Sequence, residues 1–334
     1  MKKRFLFLIM TVFLLLTIGS AYGKGPVVLR LVVPTPTGDM LTVKDQELAD
    51  NFNRRARGEY EIRVYPGESI VKVPEYLDAV RVGAIEMADT AWGIYAGHDK
   101  RLGAMEMPFL FNNINASIEA ASELLPIYDE LLSEKFNQKA LALFAIGGME
   151  LISTRPVNTL SDWKGLMTGA INPQISAMTR ELGGSPVVVM WTDLYTSLQK
   201  KVIDAGLSNS HQMLTFSLTD VCSNVSVFYG ASGWQGYSIN MKIWNKMPEH
   251  IKNILIDETT RAAEKMHTEF LKLHDEDIEN LKKKGIKVNV ISPEERALWA
   301  EKLHPYINSE ISTMGVFGQK IINIANEVNK KHPY

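Results

Sequence analysis

Apolar positions along this chain alternate between short continuous runs and longer stretches at helical spacing. Val28 to Val33 reads as an opening strand, and the PTPTG of Pro34 to Gly38 breaks it into a loop. A helix is predicted from Leu41 to Arg57, then a strand over Gly58 to Pro66 with Tyr60, Ile62 and Val64 on one face. Strand, helix, strand in this order implies a parallel pair joined by a crossover helix. Pro74 to Gly83 predicts another helix and Glu86 to Ala91 another short strand, and the alternation continues through Leu141 to Ile146 and Val157 to Leu166. The run Val187 to Met190 is expected to be a strand buried on both faces. It passes directly into a helix that Thr192 or Asp193 can cap, with Leu194, Leu198, Val202 and Ile203 as its apolar stripe. Trp191 therefore stands at the carboxyl end of a strand, where open α/β sheets gather their ligands. An ordinary core tryptophan fits the same local pattern.

One segment is too long for simple alternation. From Pro248 to Gly285, apolar residues including Ile251, Leu255, Ala262, Met266, Phe270, Ile278 and Leu281 hold helical spacing, with Pro248 placed for a first turn and Gly285 for a C-cap. At about 1.5 Å per residue it would run more than roughly 50 Å, wider than one small lobe. A helix crossing two lobes explains the length, and two helices broken near His274 are the other reading. A strand over Ile286 to Ile291, a helix opening at Ser292 to Glu295 and a terminal helix from Gly315 to Lys331 complete an α/β chain.

The first residues change where this chain is expected to work. Lys2, Lys3 and Arg4 precede an apolar run from Phe5 to Ile18, and Ala21 and Gly23 supply the small residues of a cleavage site. The run is shorter than the ~20 residues of a bilayer span, so a signal peptide over 1–23 is expected, with an uncleaved anchor as the alternative. The formal charge of −2 becomes −5 once that segment, with three basic residues and no acid, is removed. Such a balance argues against nucleic acid and anionic lipid as partners. Cys222 is the only cysteine, so no intramolecular disulfide is available outside the inner membrane. Stability must come from a core, and the roughly 310 remaining residues suffice for two lobes.

Candidate chemistry is sparse. Gly206 to Ser210, GLSNS, lacks the final glycine of a nucleophile elbow, no phosphate loop or dinucleotide fingerprint follows a strand, and the glycines of Tyr229 to Gly236 are wrongly spaced for either. The histidines are scattered, with His267 and His274 read as polar positions on the long helix, so neither metal nor cofactor is expected.

Several blocks, in order, resemble the periplasmic solute-binding proteins of TRAP transporters, of the C4-dicarboxylate-binding type. They are GEYEIRVYPGESI at 58–70, VGAIEMADTAWG at 82–93, MPFLF at 107–111, SDWKGL at 161–166, LGGSPVVVMWTDLYTSLQKKVIDAG at 182–206 and INMKIWNKMP at 239–248. The resemblance covers essentially the whole mature chain. It implies a two-lobed α/β periplasmic-binding-protein fold with crossing strands and a long helix touching both lobes. Lobe I would be 24–147 plus 234–273, and lobe II 148–233 plus 274–334. It further implies a monomer that is not an enzyme, holding a small-molecule ligand in the interlobe cleft and delivering it to membrane permease subunits. A periplasmic sensor of the same fold acting on a membrane receptor is the alternative.

The likeness breaks at the expected ligand arginine. Where the family pattern reads G-L-K-x-R, this chain has Gly165, Leu166, Met167, Thr168, Gly169 and Ala170, and nothing there can form a bidentate pair with a carboxylate. The motif ending V-D-G-x-x-N is replaced by Ile203 to Ser208, leaving Ser208 or, one place on, Asn209 to donate into the cleft. Trp191 matches a pocket-lining aromatic position of the family. Trp92, Trp234, Met149, Glu150 and Asn172 complete the expected ligand-binding set, and the expected ligand is an organic acid or an aromatic or weakly charged metabolite held by stacking and hydrogen bonds.

Overall fold

In a computed structural model, residues 25–334 are described, and the leader over Met1 to Gly23 lies outside the described residues. Strand β1 (Val27–Val33), helix α1 (Met40–Ala56) and strand β2 (Tyr60–Pro66) form the expected parallel unit, Val27 pairing with Tyr60 and Val33 with Pro66. Asp39 caps α1 by accepting from the Leu41 N–H at 2.9 Å. There follow α2 (Tyr76–Val82), β3 (Met87–Thr90), α3 (Ile114–Phe136), β4 (Gln138–Gly148), β5 (Glu150–Ser153), β6 (Met167–Ala170), α4 (Pro173–Glu181), β7 (Ser185–Val188) and α5 (Leu194–Gln199). The chain ends with β8 (Ala205–Ser208), α6 (Ser210–Thr215), β9 (Asn224–Val227), β10 (Ser232–Asn240), α7 (Met241–Lys246), α8 (Glu249–Lys283), β11 (Lys287–Val290), α9 (Pro293–Thr313) and α10 (Gly315–Lys331).

These strands make two sheets, one per lobe. The first has the order β2-β1-β3-β10-β4 and the second β11-β9-β5-β8-β6-β7. The chain crosses between them at Met149, whose N–H donates to Ala231 O at 2.9 Å, so the outgoing and returning segments are bonded to each other. Helix α8 is continuous through His274. Its first half packs on α1 and β4 and its last turns on α6 and β11, so it joins both lobes. Pro248 is its N-cap rather than a first-turn residue, and Gly285 follows the helix at φ 84°. His267 on this helix is more than a polar surface position: its Nε2 accepts from the Ala145 N–H of β4 at 3.0 Å, and burial lowers its pKa to about 4.

Three local expectations are corrected. The run Val187 to Met190 is not buried on both faces, because β7 ends the second sheet as an edge strand and Val188 is 84% exposed. The helix after it stops at Gln199 without a side-chain cap bond from Asp193, leaving Val202 exposed beyond its end. Val157 to Leu166 contains one 3-10 turn, Leu160–Trp163, held by a capping box between Thr159 and Asp162. The largest element not anticipated is α3, where Pro126 inside the helix stands as a stop signal in the sequence.

Candidate functional site in the interlobe cleft

The ends of strands from both sheets face one another across a cleft. From the first sheet come Pro34 and Thr35 after β1, Ala91 after β3, Ile146 on β4, and Ser232 to Gln235 on β10. From the second come Ile171 and Asn172 after β6, Leu207 on β8 and Trp191 beyond β7, with Ile175 of α4 and Gln212 of α6. Together with Glu106, Met149 and Ala231 they surround about 700 Å³ of atom-free space, counting the mouth. Its walls are mostly apolar with a few polar groups, the usual lining of a small-molecule cleft.

Of the residues expected from the sequence, Met149, Asn172, Trp191 and Trp234 line this cavity. Trp191, part-buried in a 3-10 turn at Trp191–Asp193, also lines a shallower neighbouring pocket with Pro36, Glu68, Tyr195 and Phe216, so its ring divides the cavity from the outside. Trp234 is 1% exposed, tilts against Phe111 at 5.5 Å and has no partner for its indole N–H. Asn172 caps α4, its Oδ1 accepting from the Ile175 N–H at 2.8 Å.

The other four lie behind the walls. Trp92 is fully buried and stacks on Tyr128 at 5.7 Å. Glu150 is 0% exposed and turned toward the returning crossing, where its Oε2 accepts from the Phe228 N–H at 3.0 Å; burial pushes its carboxyl up to about 7. Ser208 is buried in the ladder opposite Glu150. Asn209 caps α6 by accepting from the Gln212 N–H at 2.8 Å, while its Nδ2 donates to Ile146 O at 3.1 Å, tying the second lobe to the first.

Sequence reasoning missed Glu106, Gln212, Gln235 and Thr35. Glu106 ends the 3-10 helix Lys100–Glu106, which Tyr128 pins from α3 by accepting from Met105 N–H at 3.0 Å and donating to Arg101 O at 3.1 Å. Its Oε2 accepts from Asn172 Nδ2 at 2.5 Å across the cleft, and its Oε1 has no partner. Burial pushes this carboxyl up to about 8, against the Asn172 amide and the Gly93 N–H, which pull it down. An acid flanked by apolar Met105 and Met107 was the available signal. Glu106 is the one ionisable side chain among the lining residues, which include no lysine, arginine or histidine.

The missing arginine has a packing counterpart. A Cβ at Gly206, beside Gly169 in the β6–β8 pair, would come 2.5 Å from Leu194 Cδ1, so the α5 leucine fills the space that side chains on this strand pair leave. No group of three or more metal-binding side chains occurs among the described residues.

This architecture is shared with known proteins. The sequence profile of the family "Bacterial extracellular solute-binding protein, family 7" matches residues 35–313. The chain belongs to this family. Family 7 comprises the extracytoplasmic solute-binding components of TRAP transporters, which take small molecules to membrane permease subunits, and this chain is one of them. It is 23% identical over 283 residues to the sialic acid-binding periplasmic protein SiaP of Vibrio cholerae, covering 83% of this chain and 87% of that one. It is 24% identical over 294 residues to the C4-dicarboxylate-binding periplasmic protein DctP of Rhodobacter capsulatus, covering 84% and 85%. Its fold matches DctP7 of Bordetella pertussis, a solute receptor binding pyroglutamic acid, with TM-score 0.84 at 17% identity over 90% of this chain and 99% of that one. A TRAP solute-binding protein of Desulfovibrio salexigens with bound orotic acid gives TM-score 0.81 at 20% identity, over 91% and 99%. Among the described residues no helix is long and apolar enough to cross a membrane.

Proposed function

We propose that this family 7 protein captures a compact cyclic solute, a monoacid or an amide, by stacking and hydrogen bonds in the cleft, and carries no catalytic activity. The observation behind this reading is a cavity walled by Trp191, Trp234, Ile146, Ile171 and Leu207 whose lining holds no cationic side chain. A dicarboxylate there would leave two charges unpaired in an apolar enclosure, at several kcal/mol per ion by order of magnitude, where a monoacid leaves one and an amide none. Pyroglutamate and orotate, bound by two proteins of like fold, are small rings with one acid each and fit this chemistry better. The hydroxyls in the lining support binding rather than catalysis, since Ser232 Oγ pairs with Ser117 Oγ at 2.8 Å and Thr35 Oγ1 with Thr42 Oγ1 at 2.7 Å. The carboxylate beside Thr35 is that of Asp39, which is engaged in capping α1.

The two sheets are the cores of lobes divided as 24–147 plus 234–273 and 148–233 plus 274–334, and a ligand touching both favours the closed arrangement. Processing after Gly23 releases the chain outside the inner membrane, and N-terminal sequencing of the exported protein should begin at Lys24. A thermal-shift screen over cyclic monoacids, cyclic amides, amines and dicarboxylates tests the ligand class. Monoacids and amides should give the largest shifts, and a clear preference for simple dicarboxylates would overturn the reading.

A further inference from the structure

We propose that Glu106 replaces the absent cation of this pocket: as a protonated carboxylic acid it donates a hydrogen bond from Oε1 to a carbonyl or carboxylate oxygen of the solute. This rests on the capture reading above and names the group that orients the solute. The carboxyl is 6% exposed, lines the cavity and has no cation paired with it. An unpaired charge so enclosed costs far more than neutralisation, so the group holds its proton. Asn172 Nδ2 donates to Oε2, which makes Oε2 an acceptor and leaves the proton to Oε1, the oxygen without a partner.

A second unpartnered donor, the Trp234 indole N–H, lines the same cavity. The same lining also holds one unpartnered acceptor, Gln235 Oε1, so the enclosure calls for a ligand that brings acceptors to two donors and, as an amide can, a donor to the third group. The backbone holds the acid in place as well. A Cβ at Gly93 would lie 2.3 Å from Glu106 Oε1, so the carboxyl rests against a position where only glycine leaves it room. The titratable group that senses Glu106 is Tyr128 of α3, itself buried and neutral, so nothing cationic opposes the protonated form.

The bond involves no net transfer: the proton stays on Glu106 and is shared with the solute oxygen. The acid is pushed up to about 8, so binding should be flat below that pH and weaken by about tenfold from pH 7 to pH 9 as the proton is lost. Benzamide, benzoate and benzylamine share one skeleton and differ in the group offered to Glu106. Isothermal titration of the three against the mature protein at pH 7 and pH 9 tests the assignment, with Glu106→Gln and Glu106→Ala beside the wild type. Benzamide and benzoate should bind at pH 7 and benzylamine at least tenfold more weakly. E106Q, whose amide N–H can still donate, should keep most of the affinity at pH 7 and lose the fall at pH 9, while E106A loses both.

Preference for benzylamine that vanishes in E106Q would overturn the donor role and leave capture in this cavity standing. An unchanged pH profile in E106Q, or no binding of benzamide and benzoate, would also overturn it. Insensitivity of all solute binding to Trp191→Ala would instead sink the cavity itself.

Discussion

The two walls of the cleft carry a tryptophan each and hold it in opposite ways. Trp234 sits on β10, bonded to β4 along one edge and β3 along the other, and is packed on Phe111. Trp191 sits in a single 3-10 turn beyond β7, the last strand of its sheet, next to the exposed Val188. One ring belongs to the spine of the molecule, and the other to an edge that few contacts hold. Wall rigidity therefore differs across the pocket: the spine sets the floor against which a ligand is measured, and the edge supplies a ring that can adjust to it.

The largest effect should come from the spine. Trp234→Ala removes a fully buried aromatic from a central strand and should cost about 3–5 kcal/mol of unfolding free energy in a denaturant titration. A loss below about 1 kcal/mol would mean that the spine is no stiffer than the edge. His267 offers a second handle on the same strand pair. Its folded pKa, about 4, is depressed below the ordinary 6.5, so the unfolded chain binds more protons between those values. Stability from this group is thus complete above pH 6.5 and falls as pH drops toward 4, by about 3 kcal/mol at most. Burial raises Glu106 to about 8 and Glu150 to about 7 and holds the Asp45 carboxyl above the usual carboxylate range, so these groups act in the opposite direction, their stability being lost as pH rises from the ordinary carboxylate range through the folded values. The clean measurement is the difference between wild type and His267→Gln at pH 7 and at pH 4.5. The variant should be the relatively more stable at the acid end, and parallel pH curves would remove His267 from the spine's energetics.

Trp191→Ala should separate binding from folding. Its ring is part-exposed, so a stability loss of about 1 kcal/mol is expected, smaller than at Trp234. Affinity for the compound giving the largest thermal shift on the wild type should fall about tenfold or more, which is roughly 1.4 kcal/mol. Equal losses of stability at the two tryptophans would erase the contrast between the walls.

This contrast also marks what could be read from the chain. The β1-α1-β2 unit, α8 and α9 were legible because their periodicity is local and their boundaries carry turn or cap residues such as Pro34, Gly285 and Ser292. The edge position of β7 was not, since four consecutive apolar residues look alike in a central strand and an edge strand, and only pairing partners separate them. In the site, Trp191, Trp234, Met149 and Asn172 flank strand ends or crossings that the order of elements places near a cleft. Glu106 lies in a 3-10 turn with no strand end beside it, and only the fold brings it to Asn172, 66 positions away. Glu150 misled for a related reason: it starts a strand at the crossing, yet alternation turns its carboxyl to the Phe228 side.

The smallest expected effect is the most direct probe of the edge. Val188 is 84% exposed although it lies within an apolar run, and on the outermost strand its side chain contributes little to either hydrophobic layer. Val188→Lys should change unfolding free energy by less than about 0.5 kcal/mol, the usual range for a surface position. Charge on an open strand edge also discourages pairing with a second chain, so the variant should resist aggregation on heating at least as well as the wild type, by light scattering. Were the residue buried on both faces, as its sequence suggests, a lysine there would desolvate an ammonium and cost several kcal/mol. A loss above about 2 kcal/mol would therefore return β7 to the interior, and with it Trp191 to a wall as fixed as that of Trp234.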